Sequence, residues 1–296
     1  MIDVRRLRVL SEVAARGSFS AAAEALQLTQ SAVSQHVAAL EREIGLPLVE
    51  RGTRPVGLTE AGHALTRHAT GIFSRLDVAE QELGEIAERR RGRLRFGSFP
   101  TALSTFVPRA FQRFRRREGS VTLTVLALPL QTLLPRLDTA QLDLALIYEH
   151  DALPAVDSRD LARTPLCDDA YHAVLPAHHR LARRSELALA DLADDVWIGG
   201  TPNSAWFGIV EHHCRTSGFT PQIDCASDDN VAVQALVAAG LGVAVIPGLA
   251  LVRPHPGVVV LPLTGAPVRH IFAVRPRDGY ASPAVGAMLA CLREAV

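Results

Sequence analysis

From Thr59 to Arg91 the chain runs without a proline, and Leu65, Ala69, Ile72, Leu76, Ala79, Leu83 and Ile86 recur at steps of four and three. That is a heptad seam, and it predicts one helix of some 33 residues, roughly 50 Å long. A helix so long with so narrow an apolar stripe needs a partner, and the same helix of a second copy of the chain is the natural one. Gly71 and Gly84 lie off the seam, and "ERRRGR" (88–93) supplies the arginines and glycine that suit a helix C-terminus. The seam also splits the chain: sequence before it is mostly of helical periodicity, and sequence after it alternates.

Before the seam, residues 3–16 place Leu7, Leu10 and Val13 on one face and stop at Gly17. Ser18 or Ser20 can cap a short alanine-rich segment. Thr29 can cap a third helix, "QSAVSQHVAALEREI", in which Val33, Val37 and Leu40 form the buried stripe. Two short helices, a tight turn and a third helix make a helix-turn-helix pattern. Gln30, Ser31, Ser34 and Gln35 dress the outer side with short hydrogen-bonding groups and no charge. Such groups can meet base edges in a major groove without bringing negative charge to the phosphates. "LPLVERGTRPVGLTEAG" then reads as strand, turn and strand, with Thr59 capping the long helix. Arg51 and Arg54 sit where such a wing meets phosphate or minor groove.

After Arg93, "RLRFGS", "SVTLTVLAL" and "LDLALIYE" read as strands separated by helical segments, and a second series follows through "DVWIGG", "PQIDCAS" and "GLGVAVIP". This alternation predicts an α/β fold with a mainly parallel sheet. At 296 residues the chain is long enough for two or three compact units, and a formal net charge of zero gives no global field for nucleic acid or membrane. Any such contact must be local. Every basic residue other than histidine is arginine. The N-terminal stretch lacks the apolar core of a signal peptide and no run of 18 uncharged apolar residues occurs, so no membrane span is expected. Four scattered cysteines without a C-x-x-C pair fit reduced thiols, and the expectation is a cytoplasmic protein.

The stretch "GSFSAAAEALQLTQSAVSQHVAALEREIGLPLVERGTRPVGLTEAG" (17–62) resembles the winged helix-turn-helix of LysR-type transcriptional regulators almost without a gap. The resemblance places Gln30, Ser31, Ser34 and Gln35 at the DNA-facing positions and Arg51 and Arg54 at the wing. Where the family often has Pro after the Gln and Arg after the second Ser, this chain has Ser31 and Gln35, which implies a different base preference. "LRFGSFPTA", "LDLALIY" and "VQALVAAGLGVAVIPG" resemble, more loosely, the family's periplasmic-binding-protein-like effector domain. The resemblance implies a DNA-binding domain over 1–58, a linker and dimerisation helix over 59–91, and an effector domain over 92–296. Within the last, subdomain I would comprise 93–162 and 267–296, and subdomain II 163–266.

Parallel α/β units bind small molecules beyond the carboxyl ends of their strands. Strand ends and the family's pattern together nominate Ser98, Thr101, Tyr148, Thr201, Asn203 and Ser227 as effector-binding residues, each hydroxyl also suited to an ordinary helix cap. Family members often carry a charged residue around Tyr148. A tyrosine there argues for an effector with an apolar or aromatic portion rather than a dicarboxylate.

"EHHC" (211–214) and the pair His178 and His179 tempt a metal reading, but adjacent helical side chains diverge by about 100°, and no metal or cofactor is expected. The arginine run in "FRRRE" (114–118) reads as a solvated face, and Cys225 as a packed small residue. No H-E-x-x-H, G-x-S-x-G or P-loop motif occurs, so the expectation is a regulator and no enzyme. It would be a homodimer or homotetramer that binds double-stranded promoter DNA and answers to a small effector. An alternative is a ligand-binding or enzymatic α/β domain on a helical dimerisation head.

Overall fold

The computed structural model describes residues 2–50, 55–86, 92–152, 161–202, 204–277 and 282–296, with the side chains of 81, 82, 85 and 86 also outside the description. The chain forms a helical N-terminal unit and a larger α/β unit.

In the first unit α1 (Val4–Arg16) starts at Asp3, whose carboxylate accepts from the Arg5 N–H at 2.8 Å. It ends at Gly17, whose φ of 61° is left-handed and whose N–H donates to Val13 O. Ser18 caps α2 (Phe19–Leu26). The turn to α3 (Gln30–Ile44) is closed by Gln27, a non-glycine at φ 54°, and Thr29 caps α3 through the Ala32 N–H at 3.2 Å. Leu7, Leu10, Val13, Val33 and Leu40 are fully buried, each such side chain stabilising by about 1.5–3 kcal/mol.

Beyond α3 the described part of the expected hairpin is short: one antiparallel bridge, Val49 to Leu58. Glu41, the first acidic residue of α3, faces inward, and its Oε1 accepts the Leu48 N–H at 2.8 Å and the Val49 N–H at 3.3 Å. Thr59 caps α4 (Glu60–Ile86) through the Gly62 N–H. A Cβ on Gly62 would stand 2.1 Å from Leu48 O, so the close approach of the hairpin stem to α4 requires glycine. Of the seam, Leu65 packs against the head core and Ala69 is buried, whereas Ile72, Leu76, Ala79 and Leu83 are exposed; Ile86's side chain and residues 87–91 lie outside the described residues.

The second unit follows the order β1 (Arg93–Ser98), α5 (Pro100–Leu103), α6 (Val107–Arg117), β2 (Thr122–Ala127), α7 (Leu130–Asp138), β3 (Leu144–Glu149) and β4 (Leu161–Pro176). It continues with β5 (Val196–Gly199), α8 (Ala205–Thr216), β6 (Gln222–Ala226), α9 (Asn230–Ala238), β7 (Ala244–Pro247), β8 (Val258–Pro262), β9 (Val268–Pro276) and α10 (Pro283–Arg293). The sheet is mixed rather than mainly parallel. Strand β1 is parallel to β2 and β3, and β5 to β6, but β9, β7 and β8 all run antiparallel to their partners on β4 or β3. No helix joins β8 to β9, and a parallel connection needs such a crossover.

The 16-residue β4 carries two sets of partners. It pairs with β9 from Leu161 to Ala170, then with β7 and β8 from Tyr171 onward. Phe96, Phe114, Leu146 and Met288 centre the core on one side of this switch, and Tyr171, Trp197, Cys214 and Val245 the core on the other. Where the pairing changes, the Tyr171 N–H donates to Pro267 O at 2.9 Å, so the two passing segments are stitched together. The arginine run of α6 is exposed as expected, and Arg117 makes a forked surface ion pair with Glu294 at 3.1 Å, just beyond α10.

Candidate nucleic-acid interface and ligand cavity

The apolar stripe of α3 is spent on the head core, so its N-terminal turn presents Gln30, Ser31, Ser34 and Gln35 outward, all exposed. Two are preset. The Ser20 hydroxyl donates to Gln30 Oε1 at 3.2 Å, and Thr29 Oγ1 lies 3.0 Å from Ser31 Oγ. An amide whose oxygen is already held keeps its N–H groups forward for an acceptor, and hydroxyls adapt to donor or acceptor. Gln30 and Ser34 flank an open groove whose other walls come from Gly17, Phe19, Pro55 and Val56. Arg51 and Arg54 lie outside the described residues.

In the α/β unit a cavity of about 760 Å³ opens where β1, β3, β7 and β9 end against α5, α8 and α9. Its walls include Phe99, Tyr148, Tyr171 and Trp206, and its polar groups include Thr101, Thr201, Asp228, Asp229 and Arg269. Arg269 is 4% exposed; its Nε donates to Asp169 Oδ2 at 2.6 Å and its Nη2 to Thr101 Oγ1 at 2.7 Å. The guanidinium carbon stands 5.1 Å from the Phe99 ring centre and 5.0 Å from that of Tyr148. The charge is thus held by one carboxylate and two aromatic faces. Burial raises the Tyr148 hydroxyl above the usual phenol range, against the lowering effect of Arg269 and with a further push from the Asp228 charge. Beneath lies His150, whose Nδ1–H donates to Val268 O at 3.0 Å and whose Nε2 receives the Tyr171 hydroxyl at 3.4 Å. Burial lowers His150 to a pKa of about 4, so the ring is neutral.

Residues 4–63 match the family model of the bacterial regulatory helix-turn-helix proteins of the lysR family, and residues 87–296 match that of the LysR substrate binding domain. The chain belongs to the LysR family. It is a DNA-binding transcriptional regulator with an effector-binding domain, of a family whose members bind promoter DNA, take small-molecule effectors and form oligomers. The RuBisCO operon transcriptional regulator of Allochromatium vinosum is 31% identical over 97% of this chain and 94% of the relative. The regulator CbbR of Rhodospirillum rubrum is 28% identical over 99% of this chain and 96% of its own length. The full-length structure of CbnR complexed with its target DNA matches 99% of this chain and 100% of CbnR, at 19% identity and a TM-score of 0.73, a likeness of fold. No helix among the described residues is long and apolar enough to cross a membrane.

In this LysR-family chain the cavity brings together three of the six effector candidates: Thr101, Tyr148 and Thr201. Ser98 is buried and turned aside, its hydroxyl donating to Phe99 O at 3.2 Å. Ser227 also stands off the cavity wall; its Oγ accepts the Asp229 N–H at 3.2 Å, the local turn role that rivals ligand binding. Asn203 lies outside the described residues. The sequence reading missed Arg269, Asp169, Asp228 and Trp206. The usable signal was "PVRHIFAV": in a strand whose alternate members Ile271 and Ala273 are buried, Arg269 shares their parity and must face inward. Its partner Asp169 stands directly opposite on β4.

Proposed function

We propose that α3 reads operator bases through Gln30, Ser31, Ser34 and Gln35, with Arg51 and Arg54 on the phosphates, and that the cavity lined by Thr101, Tyr148 and Thr201 receives the effector. The observation that carries the first part is the exposed, uncharged amide and hydroxyl row on a helix whose opposite stripe is fully buried. The exposed seam of Ile72, Leu76, Ala79 and Leu83 supports pairing with the same helix of a second copy, so that two recognition helices meet two half-sites. Ile86 continues that register, whereas Leu65 and Ala69, expected in the same seam, are taken up within the head. The divisions we propose are 1–58, 59–91 and 92–296, with the last split into 93–162 plus 267–296 and 163–266. Ser98 and Ser227 act behind the cavity wall in this reading, and Asn203, outside the described residues, stays the sixth candidate.

The protein works in the cytoplasm, and the cavity binds without turning over its ligand. An effector must favour one arrangement of the α/β unit over another, or it shifts nothing. Mobility-shift assays with the DNA upstream of the chain's own gene test the reading. Specific retention that weakens steeply with salt and is lost in Gln30→Ala and Arg54→Ala supports it; equal competition by random duplex overturns it.

A further inference from the structure

Resting on the cavity reading above, one feature of the wall carries further: its charges do not balance. Arg269 brings the cavity's cation, and the buried Asp169 already neutralises it at 2.6 Å. Asp228 and Asp229 add two carboxylates on the same wall, and neither has an ion-pair partner among the described residues. Asp228 is fixed by Thr201, whose backbone N–H reaches Oδ1 at 3.1 Å and whose hydroxyl donates to Oδ2. Each oxygen keeps a lone pair for a ligand. Asp229 uses Oδ1 to cap α9 through the Val231 N–H at 2.9 Å, and its Oδ2 has no hydrogen bond among the described residues.

The other polar groups left over on the wall are donors. Arg269, more than nine-tenths buried, spends Nε and one Nη2 N–H on the protein, and its Nη1 has no partner among the described residues. The Tyr148 hydroxyl likewise has none, whereas Tyr171 is committed to His150 and the Trp206 Nε1–H to Val245 O at 2.8 Å. Both sets of groups line one cavity, and the Asp228 charge bears on Tyr148. On the same cavity Phe99, Tyr148, Tyr171 and Trp206 offer aromatic surface, which attracts both rings and cations.

We infer that the effector of this cavity is an aromatic organic cation: a protonated amine directed at Asp228 and Asp229, an aromatic body against the ring-lined wall, and a single hydrogen-bond acceptor received by Tyr148 and Arg269. A dicarboxylate would place two negative charges beside those of Asp228 and Asp229, with the only cation among the described lining residues already paired.

Calorimetric titration of the full-length protein with tyramine, 4-hydroxyphenylacetate and succinate tests this, because the first two differ in the sign of the terminal charge. Tyramine is expected to bind at least about tenfold more tightly than 4-hydroxyphenylacetate, and Asp228→Asn to remove most of that difference. Asp229→Asn, which keeps the cap, should weaken tyramine to a smaller degree. Tighter binding of 4-hydroxyphenylacetate or succinate than of tyramine overturns the inference, as does failure of tyramine to bind at millimolar concentration. If succinate binds and Thr101→Val or Tyr148→Phe weakens it, the cavity reading stands and the ligand class falls. If tyramine binds equally well to the Asp228, Asp229, Thr101 and Tyr148 variants, the cavity reading falls with it.

Discussion

Arg269 of β9 and Asp169 of β4 stand opposite one another in register and close a 2.6 Å ion pair with both side chains about 95% buried. The second carboxylate oxygen of Asp169 accepts the Leu249 N–H at 3.0 Å. Asp169→Ala would strand a buried cation and a backbone donor together. The expected loss is about 3–5 kcal/mol in urea unfolding, and a loss under about 1 kcal/mol would show that solvent reaches the pair.

His150 predicts a pH dependence with a definite sign. Its pKa is about 4 in the fold, against an ordinary value of 6.5, because burial penalises the charged ring. The unfolded chain therefore takes up the proton first as pH falls, and stability present above pH 6.5 drains away between 6.5 and 4 by roughly 3 kcal/mol in the limit. Urea midpoints at pH 7 and pH 5 should differ less in His150→Gln than in the parent. His270 has the opposite sign: the Asp168 carboxylate at 2.7 Å raises its pKa, so its contribution is lost as pH rises.

Truncating the amide at Gln30 should separate recognition from folding. Gln30→Ala leaves the buried stripe of α3 untouched, so the melting temperature should hold. Discrimination between operator and random DNA should fall by about 1–3 kcal/mol. Thr29→Ala, one residue earlier, should lower stability by about 1 kcal/mol through loss of the cap on Ala32.

On α4, Leu76 is 43% and Leu83 66% exposed, a state that suits a surface awaiting a second helix. Replacing either with Glu places like charges opposite each other in a symmetric pair. Sedimentation should show a shift toward monomer with unchanged helix content, and a variant that remains fully associated would place the interface elsewhere.

Gly62→Ala should be among the most damaging small changes in the head, since the added carbon would meet Leu48 O at 2.1 Å. Overlap with backbone cannot be relieved by rotating a side chain, and a loss of about 1–3 kcal/mol is expected in thermal unfolding.

Much of the head was legible because its signals are local. Asp3, Gly17, Ser18, Thr29 and Gly45 punctuate helices whose apolar residues fall at helical spacing, and each helix begins or ends within a residue or two of those marks. The second unit was legible as alternation but not as direction. Strand sense depends on which segments meet, and β4 and β9 meet across about a hundred residues of sequence. The first half of β4, "LARTPLCDD", was missed because Arg163, Pro165 and the two aspartates break the apolar signature of a strand. For the same reason the cavity's charged residues escaped notice. Thr101 follows, and Tyr148 closes, a strand that periodicity reveals, whereas Arg269 and Asp169 acquire meaning only as a pair.

The stitch at Tyr171 and Pro267 lies within two residues of Asp169 and of Arg269. A molecule held by Arg269 would therefore sit next to the point where β4 leaves β9 for β7 and β8, so one guanidinium borders both the chamber and the junction of the two cores.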